Sequence, residues 1–541
     1  MPIVQQGAIN TTALVVPDLY VQIVPPQNLM LNGVPTNVVG VVGTATWGPV
    51  GQPAIVATMA DYARTFGALQ NRKYDMGTAV AIAVQQGAQN FRCVRASDGT
   101  DTAATAVMNG TLTTDNSAQF AALYTGSLGN SVQITLAKGS RAASYKLTIA
   151  LPGLPPEVFD NIAGAGAAFW PALVAAVNEG TGPTRGASQL VTAAAGAGAN
   201  AAIDPSTLTL PMTITLGSSL NGGTTGTDGT TTISAATLIG QDTISRKGMY
   251  ALRSLGCEIG LLADADDSTQ WTTQAAFGLQ EGIYMMLVAP AGSAIQNGTT
   301  GTVDLKTTAG LDSYAVKLLH GDWLFWNDQI NGVVRLVSPQ GFAAGRLANL
   351  SPEQSGLNKQ IYGIIGSQKS GQAVSGQGGT YSAADLAVLL GNGIDVISKP
   401  QPGGTYWGVR GGHNASSNPA TNGDTYTRLT NYIAATLAAG MGIYVGQVIN
   451  ADLFRLVRAT QLSFLQNMLG QGLLGSTDGS LPFSVICDRS NNPPSRTGLG
   501  YVQSDAQVQY QAINEKFIVN IEGGQTVQIS RQTVPTGQPA A

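Results

Sequence analysis

Charge is scarce in this sequence. Asp, Glu, Lys and Arg make up 11% of its 541 residues, where an average soluble domain carries about 25%. The formal net charge of -4 leaves no basic footprint of the kind that phosphate neutralisation requires, so direct nucleic-acid binding is not expected. No run of about eighteen apolar residues occurs, which argues against membrane insertion. The first basic residue is Arg64, so the N-terminus lacks the charged n-region of a secretory signal. The expectation is a chain that stays in the cytoplasm where it is made. The three cysteines, Cys93, Cys257 and Cys487, are odd in number, widely spaced and without a CxxC pair. They form no disulfide framework and read as small buried hydrophobes.

Histidine is scarcer still, with two in the chain. His320 sits in KLLHGDWLFW, two residues before Asp322, and reads as a packed or capping residue where a helix end runs into an apolar strand. His413 lies in a Gly-Gly-His-Asn loop, where a solvent-facing or interface role fits better than that of a base. No G-x-S-x-G elbow and no G-x-x-x-x-G-K-[ST] loop occurs, so neither a serine hydrolase nor a P-loop nucleotidase is written here. Asp264, Asp266 and Asp267 invite a calcium reading. That loop needs glycine at its sixth position and glutamate at its twelfth, and Thr269 and Ala275 stand there. A helix N-terminus before Trp271, with Asp267 or Ser268 as cap, explains the acids instead. No catalytic residue, cofactor or metal is expected, and the chain is not read as an enzyme.

Glycine, by contrast, reaches 68 residues and hydrophobic residues 43%. A largely neutral surface suits a protein that buries itself against its own copies, although an Ala/Gly/Thr-rich, β-rich globule has the same composition. The length allows about three domains. Residues 1–30 read as an extended arm, because Pro17, Pro25 and Pro26 break helices while Leu19, Val21 and Ile23 alternate with Tyr20, Gln22 and Val24. Residues 38–42 read as a strand, 61–69 and 79–87 as helices, and 91–95 as a strand. From 101 to 230 the chain is rich in Thr, Ala, Gly and Asn. Period-two strands fall there at 132–136, 145–151 and 212–216, a helix at 169–177, and a low-complexity surface loop at 192–202. From 231 onward helices and strands alternate, as in a largely parallel sheet. After Arg428 the pattern is α+β: a helix from about Tyr432, another over 451–469 with Leu453, Leu456, Val457, Leu462, Leu465 and Leu469 on one side, and strands at 483–487, 517–521 and 526–530.

Residues 386–410, LAVLLGNGIDVISKPQPGGTYWGVR, set an apolar helix, a glycine-bounded turn and a strand ahead of a Trp-Gly-x-Arg loop. Residues 338–366, SPQGFAAGRLANLSPEQSGLNKQIYGIIG, carry Pro, Gly and Ala-Gly landmarks about fifty residues upstream. Together these resemble the tail sheath proteins of contractile phages. TATWGPVG at 44–51, LYTGSLGN at 123–130, NGGTTGTDG at 221–229 and FSVICDRSNNPP at 483–494 are similar to further landmarks of that family. Two departures stand out. Arg410 is followed by Gly-Gly-His rather than the usual Thr, and only Arg428 stands where a double arginine is common.

The resemblance implies a subtilisin-like α/β domain (residues 31–100 and 231–428) interrupted by an inserted β-sandwich (101–230), then a C-terminal α+β domain (429–541). It implies polymerisation as stacked hexameric rings around a tail tube protein, on a baseplate and under a tail terminator, followed by contraction that drives the tube through the host envelope for genome ejection. Assembly would take place in the host cytoplasm, and the product would reside in the virion. The sheath of a phage-derived bacteriocin or injection system is the alternative; a surface-layer or adhesin-type protein is more distant, and a hydrolase ranks third. The family lends terminal arms to sheets of neighbouring subunits. On this sequence that points to Leu19, Tyr20, Val21 and Ile23 at one end and Thr526, Val527, Gln528, Ile529 and Ser530 at the other.

Overall fold

A computed structural model describes residues 3–4, 21–22, 31–182, 185–372 and 379–525. Its centre is a six-stranded sheet, made of β1 (Val39–Gly43), β2 (Pro53–Val56), β3 (Phe91–Arg95), β4 (Ile259–Leu262), β5 (Tyr284–Val288) and β6 (Val316–Leu319), in the order β6-β5-β4-β1-β3-β2. Only the edge strand β2 runs antiparallel. Half of the sheet therefore precedes residue 101 and half follows residue 230. Alternate side chains serve opposite faces, as the pleat demands. Val39, Val41, Ile259, Leu261, Tyr284 and Met286 enter one core, and Val42, Leu262, Met285, Leu287, Val316 and Leu318 the other.

On the first face lie α1 (Met59–Phe66), α2 (Met76–Gln85) and, further along the chain, α4 (Gln340–Ala348); α3 (Trp271–Glu281) covers the second. Thr58 and Asp61 close a capping box on α1, and Asp75 caps α2 through Thr78, which supplies the first-turn amides with acceptors. A Cβ on Gly345 of α4 would come 2.5 Å from Ala83 Cα of α2. The Ala-Gly landmark therefore permits close helix-to-helix packing.

Residues 104–216 hold a core of their own. One antiparallel sheet joins Glu157–Ala163, Ser144–Ala150, Gln133–Lys138 and Met212–Thr215, and another joins Val191–Ala197, Asn116–Ala122 and Thr105–Met108. Phe169, Trp170, Leu173 and Val177 of the helix Phe169–Glu179 pack between them. The loop expected over 192–202 is a strand for most of its length. Alanine carries little β signal alone, but Ala193 and its neighbours find a complete ladder on Asn116–Ala122, and pairing overrides propensity. Trp47 reaches this core and meets Tyr124 edge-on. Buried Arg95 donates to the carbonyls of Gly48, Thr125 and Asp228 at 2.8, 2.6 and 3.3 Å.

The helix α5 (Ala383–Gly391) adds Leu389 to the second-face core, and the C-terminal part follows with α6 (Asp424–Gly440), α7 (Ala451–Gly470) and a two-stranded sheet of β7 (Phe483–Ile486) and β8 (Asp505–Val508). Leu429, Tyr432 and Ile433 of α6 pack on Phe464, Leu465 and Met468 of α7 and on Phe483 and Val485 of β7. The helix expected from Tyr432 starts at Asp424, because its first two turns bury charges instead of an apolar stripe. Residues 517–521, expected as a strand, have no ladder partner among the described residues.

Candidate assembly surface

The first turns of α6 are fastened to the central sheet by two buried ion pairs. Lys317, on β6, is fully buried. Its Nζ donates to Asp395 Oδ2 at 2.6 Å, to Asp424 Oδ1 at 3.0 Å and to the carbonyl of His413 at 2.9 Å. Asp395 also accepts from the amides of Val396, Gly411 and Gly412, each at 2.8 Å. Tyr284 Oη donates to Asp424 Oδ1 at 2.5 Å. Burial opposes the Lys317 ammonium, but Asp395 and Asp424 outweigh it and hold its pKa above the ordinary lysine value. Burial likewise opposes ionised Asp395, which Lys317 and the surrounding amides nevertheless hold below the usual carboxylate range. The network is charged and fully hydrogen-bonded, the condition under which buried ions are tolerated.

One turn along, the buried Arg428 donates to Glu258 Oε1 at 2.8 Å and to the carbonyls of Thr36, Leu350 and Ser351 at 3.2, 2.9 and 3.1 Å. A single guanidinium thus joins α6, the start of β4, the segment leading into β1 and the chain after α4. Of these residues only Arg428 stands out in the sequence, by its family position; Lys317, Asp395 and Asp424 carry no local signal, because their partners are far apart along the chain.

Outside this rigid base, backbone hydrogen-bonding capacity and apolar surface are left open. β7 and β8 pair only with each other among the described residues. The chain after β8 is pinned by Gln509, whose amide donates to Pro482 at 2.7 Å, and by Tyr510, whose hydroxyl lies 3.1 Å from Thr430 Oγ1. Phe517, Ile518, Val519 and Ile521 follow at 82%, 80%, 62% and 87% exposure. An apolar segment with no ladder partner, on a chain that also carries an open sheet edge, is a template for strand addition.

No protein-family model matches the sequence, and no curated protein matches it either. The architecture is similar to that of the sheath tail protein of Desulfitobacterium hafniense over 86% of this chain and 92% of that one, with a TM-score of 0.56 and 14% identity. This chain has the tail sheath fold. The sheath tail protein of Listeria innocua shares it over 85% of this chain and 90% of its own, with a TM-score of 0.57 and 13% identity. So does the sheath of an extracellular contractile injection system in its contracted state, over 95% and 98%, with a TM-score of 0.52 and 11% identity.

Within this sheath fold, Val21 of the N-terminal arm pairs in parallel with Ile3 of the same chain. Leu19, Tyr20 and Ile23 lie outside the described residues, as do Thr526, Val527, Gln528, Ile529 and Ser530. The three acids near Trp271 diverge. Asp264 accepts from the amide of Tyr74, Asp266 pairs with Lys73 at 2.8 Å, and Asp267 caps the turn before α3.

His320 follows a strand rather than the expected helix end: the apolar run before it, despite Lys317, is β6. It is buried, with Nδ1 2.8 Å from Thr302 Oγ1. Burial, reinforced by Lys369, pushes its pKa down to about 4. As pH falls below 6.5 the unfolded chain takes up a proton that folded His320 refuses until about pH 4. That costs about 3 kcal/mol of stability across the interval. Asp75, raised to about 6 by burial, acts in the opposite sense below pH 6, so the contribution is best isolated by difference. Wild type is expected to lose about 3 kcal/mol more than His320→Gln between pH 7 and pH 4, read from urea denaturation. Parallel pH profiles for the two proteins would refute this.

Proposed function

We propose that this chain is the structural subunit of a contractile tail sheath, with no catalytic activity and no cofactor. Subunits stack as hexameric rings around a tail tube protein on a baseplate, capped by a tail terminator, and contract from a metastable extended state to drive the tube through the host envelope. Assembly takes place in the host cytoplasm, and the sheath becomes part of the virion. The observation that carries this reading is the exposed apolar run Phe517–Ile521, which has no ladder partner among the described residues, on a chain with the tail sheath fold. At about 1 kcal/mol net per hydrogen bond, a lent strand making about five bonds ties copies together while their rigid bodies reorient. Leu19, Tyr20, Val21 and Ile23 at one end and Thr526 to Ser530 at the other are proposed as these linking arms.

The domain division fits this role. Residues 1–30 form an N-terminal arm, 31–100 with 231–428 a subtilisin-like α/β body, 101–230 an inserted peripheral β-sandwich, and 429–541 the polymerisation domain. The extent of the likeness to the injection-system sheath also supports a second reading, in which the same contracting subunit serves a bacteriocin or injection system rather than a genome-carrying tail.

Negative-stain microscopy of the purified protein tests the class, with long hollow cylinders expected and dispersed particles at all concentrations counting against it. Deleting residues 105–228 behind a short linker, with Trp47 made polar because its cover is lost, is expected to leave cylinder formation intact. A folded but permanently monomeric product would show that the insert belongs to the lattice.

A further inference from the structure

Between Gln511 and Gln525 the chain has no regular secondary structure. Its one side-chain hydrogen bond to the body, among the described residues, is accepted by Glu515 Oε1 from His413 Nε2 at 2.8 Å. There Glu515, Lys516 and Phe517 form one wall of a groove of about 850 Å³, and Leu386 and Leu390 of α5 line the other. Immediately beyond it begins the run of exposed apolar side chains.

The two partners are mounted very differently. His413 is held by its backbone: its amide donates to Asp395 Oδ2 at 3.2 Å and its carbonyl accepts from Lys317 Nζ. Its Nδ1 is buried without a partner among the described residues, so the ring proton belongs on Nε2, where it donates to the carboxylate. Glu515 stands on a segment with no ladder of its own and is 39% exposed. A contact this exposed biases an equilibrium by a factor of about two to five, enough to hold a segment and weak enough to surrender it to backbone pairing.

We propose that the His413–Glu515 pair is a latch that parks the C-terminal segment on its own subunit and releases it when a second copy offers a sheet edge. The inference rests on the reading of that segment as a linking strand. Its purpose is kinetic: a parked segment is withheld from premature, off-lattice pairing, the standing hazard of a free apolar strand. Because the latch is fixed to the same Asp395 and Lys317 that anchor α6, the parked tail is referred to the rigid centre of the subunit and not to a mobile loop.

The test is limited tryptic cleavage after Lys516 in unassembled subunits, comparing wild type with His413→Ala, Glu515→Ala, the double variant and Glu515→Gln, each initial rate divided by that of the free peptide of the same 511–521 sequence. Cleavage that follows the undocked population is expected to quicken about two- to fivefold in each single alanine variant, with no further gain in the double and partial rescue by glutamine, which keeps an acceptor. Cylinders of the alanine variants should also appear after a shorter lag. Unchanged cleavage in Glu515→Ala, a surface change that leaves the fold alone, overturns the latch. Faster cleavage with an unaltered lag overturns its gating role. If no variant and no wild-type protein forms cylinders, the cleavage rates still decide the contact, and the failure falls on the sheath reading.

Discussion

Lys317→Met is expected to destabilise the α/β body by about 3–5 kcal/mol. Methionine fills nearly the same volume, so the loss is electrostatic and not a cavity effect. With the ammonium gone, Asp395 and Asp424 face each other's field from fully buried positions, and at least one must take up a proton or the site must open to water. The Asp395 carboxylate still has its ring of amides, whereas Asp424 keeps only Tyr284 as a strong donor. Asp424 is therefore the group that fails first. Adding Asp424→Asn to Lys317→Met should restore part of the loss, since removing both charges is far less costly than orphaning one. Urea unfolding of unassembled subunits, followed by intrinsic fluorescence, measures both steps. A single variant within about 1 kcal/mol of wild type would mean that the network contributes little to the fold.

Removing residues 525–541, or separately 1–24, is expected to abolish polymerisation and yield soluble, folded monomers. Among the described residues, the body's core clusters are built from residues 31–510, which both truncations leave in place. On the proposed reading, what each removes is an arm that supplies about five backbone hydrogen bonds to another copy. Each subunit in a ring lattice repeats its contacts, and the loss multiplies with every copy added. Size-exclusion chromatography with light scattering separates the outcomes: monomers of unchanged stability support the linkage, and normal cylinders from both truncations sink it. Phe517→Asp is a milder probe. A charge at a side chain 82% exposed in the free subunit should leave monomer stability within about 0.5 kcal/mol and still impede assembly, where that side chain is to be covered.

Much of the fold was legible. The strand Phe91–Arg95, the helix Trp271–Glu281 and the long helix Ala451–Gly470 agree with their apolar periodicity, glycine stops and capping acids to within a residue or two. Along the last of these Leu453, Val457 and Leu465 of the expected stripe are buried, Phe454, Phe464 and Met468 join them, and Leu456, Leu462 and Leu469 are half-buried at its margin. Misreadings cluster where a local signal was absent or pointed the wrong way. Alanine-rich Val191–Ala197 is a strand because a neighbour of matching register lies alongside it. The first turns of α6 carry no apolar stripe to mark them, while Asp424 and Arg428 there are buried against partners up to 392 residues away.

The alternation of elements, the small neutral composition and the landmark order that resembles the sheath family are all legible along the chain, since period, turn chemistry and composition act within a few residues of one another. Tertiary structure decided which charges go inside, which edges stay open and where the tail is fastened. A lysine on an apolar strand looks like an error in sequence. It becomes an anchor only when two carboxylates from residues 395 and 424 are carried to it, because a buried charge is stable or ruinous according to what lies within a few ångströms, and folding alone sets that distance.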